Sequence, residues 1–112
     1  MNNRTTTQTA RFPLRIKDTE ESIRQNIRNI LLTNRGGVPF RPGFGLGAEL
    51  LLGGSMKSID LAYEVTDQLS RYEKRIRVKQ VVSKEVAPGQ MEIEIRYEIT
   101  ASGETNSLII RN

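Results

Sequence analysis

Residues 69–99 read LSRYEKRIRVKQVVSKEVAPGQMEIEIRYEI, and within this stretch the apolar period changes from that of a helix to that of a strand. Upstream, Ile59, Ala62, Val65, Leu69 and Tyr72 recur every three or four residues, the stripe of a helix that Ser55 or Ser58 can cap. Downstream, Ile76, Val78, Val82 and Val86 share one face of an extended chain, and Met91, Ile93, Ile95, Tyr97 and Ile99 share one face of the next. Ala87-Pro88-Gly89-Gln90 is the turn between them. Read as a four-residue loop pairing Val86 with Met91, it sets Val82 opposite Ile95, Val78 opposite Ile99 and Lys79 opposite Glu98. Ser102-Gly103-Glu104-Thr105 turns the chain again, and Leu108-Ile109-Ile110 supplies a third strand.

Working back from this hairpin, residues 36–47 hold five Gly and two Pro in twelve positions, too many for a helix or a central strand. Val38, Phe40, Phe44 and Leu46 within it call for a loop packed on the body, followed by a helical turn at Glu49 to Leu52. Earlier still, Ile23, Ile27, Ile30 and Leu31 form one apolar stripe, and Gly36 suits a left-handed cap beyond it. Asp18-Thr19-Glu20-Glu21 predicts the start of that helix, because a capping oxygen and two acids meet the positive end of its dipole. Phe12-Pro13-Leu14-Arg15-Ile16 alternates as a short edge strand. The polar segment before it predicts a flexible arm over 1–11, leaving one domain over 12–112. The class is α+β: two helices packed on a small antiparallel sheet with a C-terminal β-hairpin and terminal strand.

At 112 residues the chain has material for one modest core, and its composition bounds the chemistry. Without Cys or His it lacks thiolate nucleophiles, disulfides, the commonest general base and the commonest transition-metal ligand, so no metal or other cofactor is expected. Its longest apolar runs, Ile30-Leu31-Leu32 and Leu50-Leu51-Leu52 among them, are three residues long, far short of a membrane span or a signal core. The net charge of +4 is uneven: residues 1–45 carry 8 basic and 3 acidic side chains, whereas residues 46–112 carry 9 and 10.

The acids have structural readings: Glu20 and Glu21 at a helix start, Asp60, Glu64 and Asp67 on a helix face, and Glu92, Glu94 and Glu98 on the solvent side of a strand. No pair stands out as a glycosidase dyad, and no small-molecule substrate is indicated. Gly43-Phe44-Gly45-Leu46-Gly47 lacks the Lys-Ser/Thr of a phosphate-binding loop. A basic cluster of Arg71, Lys74, Arg75, Arg77, Lys79 and Lys84 supports a rival reading as a small nucleic-acid-binding domain. Against it stand only six aromatics and the five acids Glu85, Glu92, Glu94, Glu98 and Glu104 that follow.

The order Ile23-x3-Ile27-x2-Ile30-Leu31-x-Thr33, Gly36, Pro42-x-Phe44-Gly45, then Arg71-Tyr72-Glu73-Lys74-Arg75-Ile76 and a hairpin resembles the baseplate wedge, or sheath initiator, family of contractile tails. That family includes phage W-protein-like wedge subunits and counterparts in type VI secretion and related injection systems. Thr33, Gly36, Pro42, Phe44 and Gly45 match its loop signature, with Gly37 and Val38 where Glu and Arg are usual. Glu73 and Arg75 match its Glu-Pro-Arg corner, with Lys74 in place of Pro.

The resemblance implies a non-enzymatic part that assembles in the bacterial cytoplasm into the baseplate of a phage tail or injection particle, with wedge, hub and sheath proteins as partners. It implies that the corner Glu73, Lys74 and Arg75 docks on the wedge core bundle. It also implies that the C-terminal hairpin, with Ile93, Ile95, Tyr97, Ile99, Leu108, Ile109 and Ile110, templates the first sheath ring by strand exchange. A hairpin and a terminal strand offer main-chain donors and acceptors suited to that use. The corner is expected to be solvent-exposed.

Overall fold

The computed structural model describes residues 8–37, 39, 41 and 43–111. Helix α1 spans Gln8–Leu32, the short α2 Ala48–Leu52 and α3 Ser58–Tyr72; strands β1 Ile76–Ala87, β2 Gln90–Ile99 and β3 Glu104–Arg111 follow. The strands form one antiparallel sheet in the order β1-β2-β3. Strict alternation on β2 and β3 turns Ile93, Ile95, Tyr97, Ile99, Leu108 and Ile110 to one face. There they meet the Ile23, Ile27, Ile30 and Leu31 stripe of α1, Leu51 and Leu52 of α2, and Leu61, Val65 and Leu69 of α3 in a single core. This is the expected α+β arrangement, with the helices on one face of the sheet.

Four local expectations change. Residues 8–11, expected as part of the arm, and Phe12–Ile16, expected as a strand, belong to α1, which therefore starts ten residues before Asp18. The remainder of the expected arm, residues 1–7, lies outside the described residues. Positions 12, 16, 19 and 23 are also spaced as a helical stripe. Propagating a helix already nucleated at Ile23 to Leu31 adds a hydrogen bond per residue, whereas the short alternation has no partner strand among the described residues.

On α3 the buried positions are Leu61, Val65, Gln68 and Leu69, while Ile59 is 77% exposed. The inward face is rotated from the expected one because it includes a polar residue, Gln68. Lys57, in extended conformation, is the N-cap and gives no side-chain cap, so neither Ser55 nor Ser58 fills that role.

The hairpin is tighter than expected, with Ala87 paired to Gln90 across Pro88-Gly89. Gly89 takes φ 73° after a proline, the combination of a type II turn, whose twist fits a hairpin poorly. The register shifts between Glu85 and Ala87 and again between Val78 and Gln80. Each extra residue changes the phase, so Val78 meets Tyr97, Val81 meets Ile95 and Glu85 meets Met91. Val82 and Val86 consequently face solvent.

Candidate functional site

Two polar regions stand out. The first is the corner between α3 and β1. Glu73 ends α3 in extended conformation, and its amide donates to the Leu69 carbonyl at 2.9 Å. Its carboxylate turns inward and is 2% exposed, which corrects the expectation of a solvated corner. Arg75 grips it as a two-pronged fork, Nε on Oε2 at 2.8 Å and Nη2 on Oε1 at 2.7 Å, and the Arg75 amide adds a bond to Oε2 at 3.0 Å. Asn26 of α1 donates to Oε1 at 2.8 Å, and Arg75 Nη1 donates to the Ser22 hydroxyl at 3.2 Å. The Arg75 carbonyl accepts the Thr100 amide at 2.9 Å. One carboxylate thus ties α1 to the corner between α3 and β1, and Arg75 extends the joint to Thr100. Burial alone would raise the Glu73 carboxyl, but the hydrogen bonds from Arg75 and Asn26 outweigh it and hold it below its ordinary value. What remains outside is Lys74, which reaches the Ser70 carbonyl, and the half-exposed Arg75 guanidinium.

The glycine loop is held from inside. Gln68 accepts the Gly45 amide at 2.7 Å and donates to the Gly43 carbonyl at 2.8 Å, closing both ends of a short segment. Phe44 between them meets Tyr72 edge to face at 4.8 Å, and the Arg41 guanidinium lies over both rings. Gly45 has φ 95°, and a Cβ there would run into the Thr33 carbonyl, so Thr33 and Gly45 form one close approach. Gly36 has φ 86° just beyond α1. Pro42 lies outside the described residues. The sequence reading missed Gln68 and Asn26; each interrupts or borders an apolar stripe, and that interruption was the available signal.

The second region is the sheet edge. Because the Thr100 amide points to Arg75 on the β1 side, the main chains of Glu98, Arg96 and Glu94 also face β1, and those of Ile99, Tyr97, Ile95 and Ile93 face β3. Those four pair with Glu104, Asn106, Leu108 and Ile110. The amides and carbonyls of Thr105, Ser107, Ile109 and Arg111 therefore point away from the sheet, and among the described residues no strand pairs with them. β2 is the central strand, so the residues grouped with it as strand-pairing candidates have their main chain already engaged. The side chains of Ile93, Ile95, Tyr97, Ile99, Leu108 and Ile110 are core; only Ile109 is exposed.

The order of helix, glycine loop, helix, corner and antiparallel hairpin is the arrangement on which the comparison with known proteins rests. The model of the family described as baseplate wedge protein gp25 matches residues 17–104. The chain belongs to this family. A Geobacter sulfurreducens protein of known crystal structure, provisionally named a tail lysozyme, is similar to this wedge protein at 29% identity. The TM-score is 0.70, over 84% of this chain and 89% of that one. No curated protein matches it. The wedge protein is thus a structural baseplate component of the kind found in phage tails; the lysozyme name belongs to the Geobacter protein.

In the basic cluster, Arg71 pairs with Asp67 at 3.4 Å, Arg75 with Glu73 at 2.7 Å and Lys79 with Glu98 at 3.5 Å, so much of the charge that could attract phosphate is met within the chain. Among the described residues, no helix is long and apolar enough to cross a membrane, and no group of three or more acids is placed to hold a metal ion.

Proposed function

We propose that this wedge protein primes contractile-sheath assembly, a mechanical role without turnover, by offering the outer edge of β3 to an extended segment of a sheath subunit. The observation that carries this reading is the run of outward main-chain groups from Thr105 to Arg111 along a strand whose register is unbroken. β1, the other edge, is interrupted by two register shifts and carries Lys79, Lys84 and Glu85, features that discourage strand addition. Strand addition supplies affinity through the main chain and leaves side chains free to set the partner. In this reading Lys74 and Arg75 face the wedge core bundle, hub proteins complete the baseplate, assembly takes place in the bacterial cytoplasm, and Glu73 acts by fixing Arg75 in place.

The test is co-expression with the sheath and wedge proteins of the same operon, followed by pull-down and negative-stain imaging. Ile109→Pro is the informative variant: it removes an outward amide and no bond to β2. Deleting 106–112 would instead remove Leu108 and Ile110 from the core. Rings or short tubes with wild type that are lost with Ile109→Pro support the reading. Equal assembly with both overturns it.

A further inference from the structure

One of the four outward positions of β3 is already engaged. Arg24 of α1 reaches across the strand and donates from Nη1 to the Ser107 carbonyl at 3.1 Å. This bond independently fixes that carbonyl as outward-facing. Arg24, Glu94, Arg96, Thr105, Asn106 and Ser107 line a groove of about 400 Å³ along this edge. Within it Glu94 is held by Arg96 at 3.4 Å, whereas no carboxylate among the described residues forms an ion pair with Arg24. Arg24 therefore brings to the middle of the strand a positive charge with no ion-pair partner among the described residues, and that guanidinium occupies an acceptor that an added strand would use.

A strand laid along β3 must bring an amide to the Ser107 carbonyl, which displaces the guanidinium. The displaced group stays tethered to α1 beside the new strand. A carboxylate there would receive it as a charge-assisted pair; an ammonium or guanidinium would meet a like charge along the open groove.

We propose that Arg24 is the specificity residue of the β3 edge, admitting a partner's extended segment that carries Asp or Glu beside Ser107 and rejecting one that carries Lys or Arg there. This rests on the strand-pairing reading above and adds the chemistry of the partner.

The full-length ¹⁵N-labelled protein would be titrated with two blocked nine-residue peptides of alternating Thr and Val, one with Glu and one with Lys at the centre. The expected result is movement of the Thr105, Ser107 and Ile109 amide signals, with the Glu peptide bound about 5- to 10-fold more tightly, the size of one modest ion pair gained against one repulsion. Arg24→Gln should erase the preference and Arg24→Glu should invert it, while Ile109→Pro should abolish binding of both peptides. Equal binding of the two peptides to the wild type would overturn the role of Arg24 and leave strand pairing standing. Absence of any movement at β3 with either peptide would overturn both. Concentration-dependent shifts of the same amides without peptide would assign the edge to a second copy of the chain and overturn the proposal.

Discussion

The Glu73 to Arg75 corner and the outer edge of β3 are both polar, and they treat their hydrogen-bonding groups in opposite ways. At the corner a buried carboxylate receives four donors from Asn26 and Arg75. At the edge, four residues turn amides and carbonyls away from the sheet, and one carbonyl is met, by Arg24. A buried charge persists only when its partners are built in, so the corner's chemistry is directed at the fold. Exposed main chain is satisfied by water and can exchange it for another strand at little cost, so the edge's chemistry is directed outward. Residues at a corner that reads as charged and surface-like in sequence can thus be the interior of the molecule, while a short strand keeps one side of its main chain open among the described residues.

The largest expected effect that could break this contrast is at the corner. Arg75→Ala removes the countercharge and two of the four donors of the buried Glu73 carboxylate and should destabilise the protein by about 2–4 kcal/mol, below the upper range for buried pairs because Arg75 is half-exposed and Asn26 and the residue 75 amide remain. Urea unfolding measures it; a loss no greater than that of an ordinary surface variant would place the corner in the same class as the edge. Next in size is Gln68→Ala, which leaves the Gly45 amide and Gly43 carbonyl without their partner and should cost about 1–3 kcal/mol. Its expected companion is faster proteolysis within 36–47, since the clamp on the loop is gone. Ile109→Pro should change stability by less than about 1 kcal/mol, because the lost amide faces solvent. If it proved as damaging as Arg75→Ala, the outward assignment of β3 would fail.

The smallest effect is a difference in sign with pH. The folded Glu73 carboxyl lies below its ordinary value, so its contribution is complete above the unfolded pKa and is lost as pH falls through the folded one. Glu104, exposed at the start of β3, behaves oppositely: a hydrogen bond and charge repulsion from Glu20 raise it. The folded state then holds that proton more tightly, so the cost of the pair is full above the raised value and disappears as pH falls below the unfolded one. Glu104→Gln should therefore stabilise slightly near neutral pH and have no effect in acid, whereas the deficit of Arg75→Ala should shrink in acid. Unfolding curves at the two extremes distinguish the signs.

Much of this was readable from the chain. The Ile23, Ile27, Ile30 and Leu31 stripe, the period-two run from Ile93 to Ile99 and the turns at Gly36, Gly89 and Gly103 appear where periodicity and turn chemistry put them. These signals are local: each depends on residues within a turn or two of one another. Where the reading of the hairpin went astray, a distant partner decided. Val81 replaced Val82 on the inner face because bulges against β2 shifted the phase, and two adjacent valines carry no mark of which is inward.

By itself, then, the sequence determined the α+β class, the order of elements from Ile23 onward and the apolar stripes of α1 and β2, because those follow from side-chain spacing along one chain. The tertiary structure decided that Glu73 is interior, that Gln68 clamps a loop 23 residues away, and that β2 is enclosed while β3 is open. Burial and hydrogen-bond satisfaction belong to pairs of groups brought from distant positions. Only the folded chain specifies which groups those are.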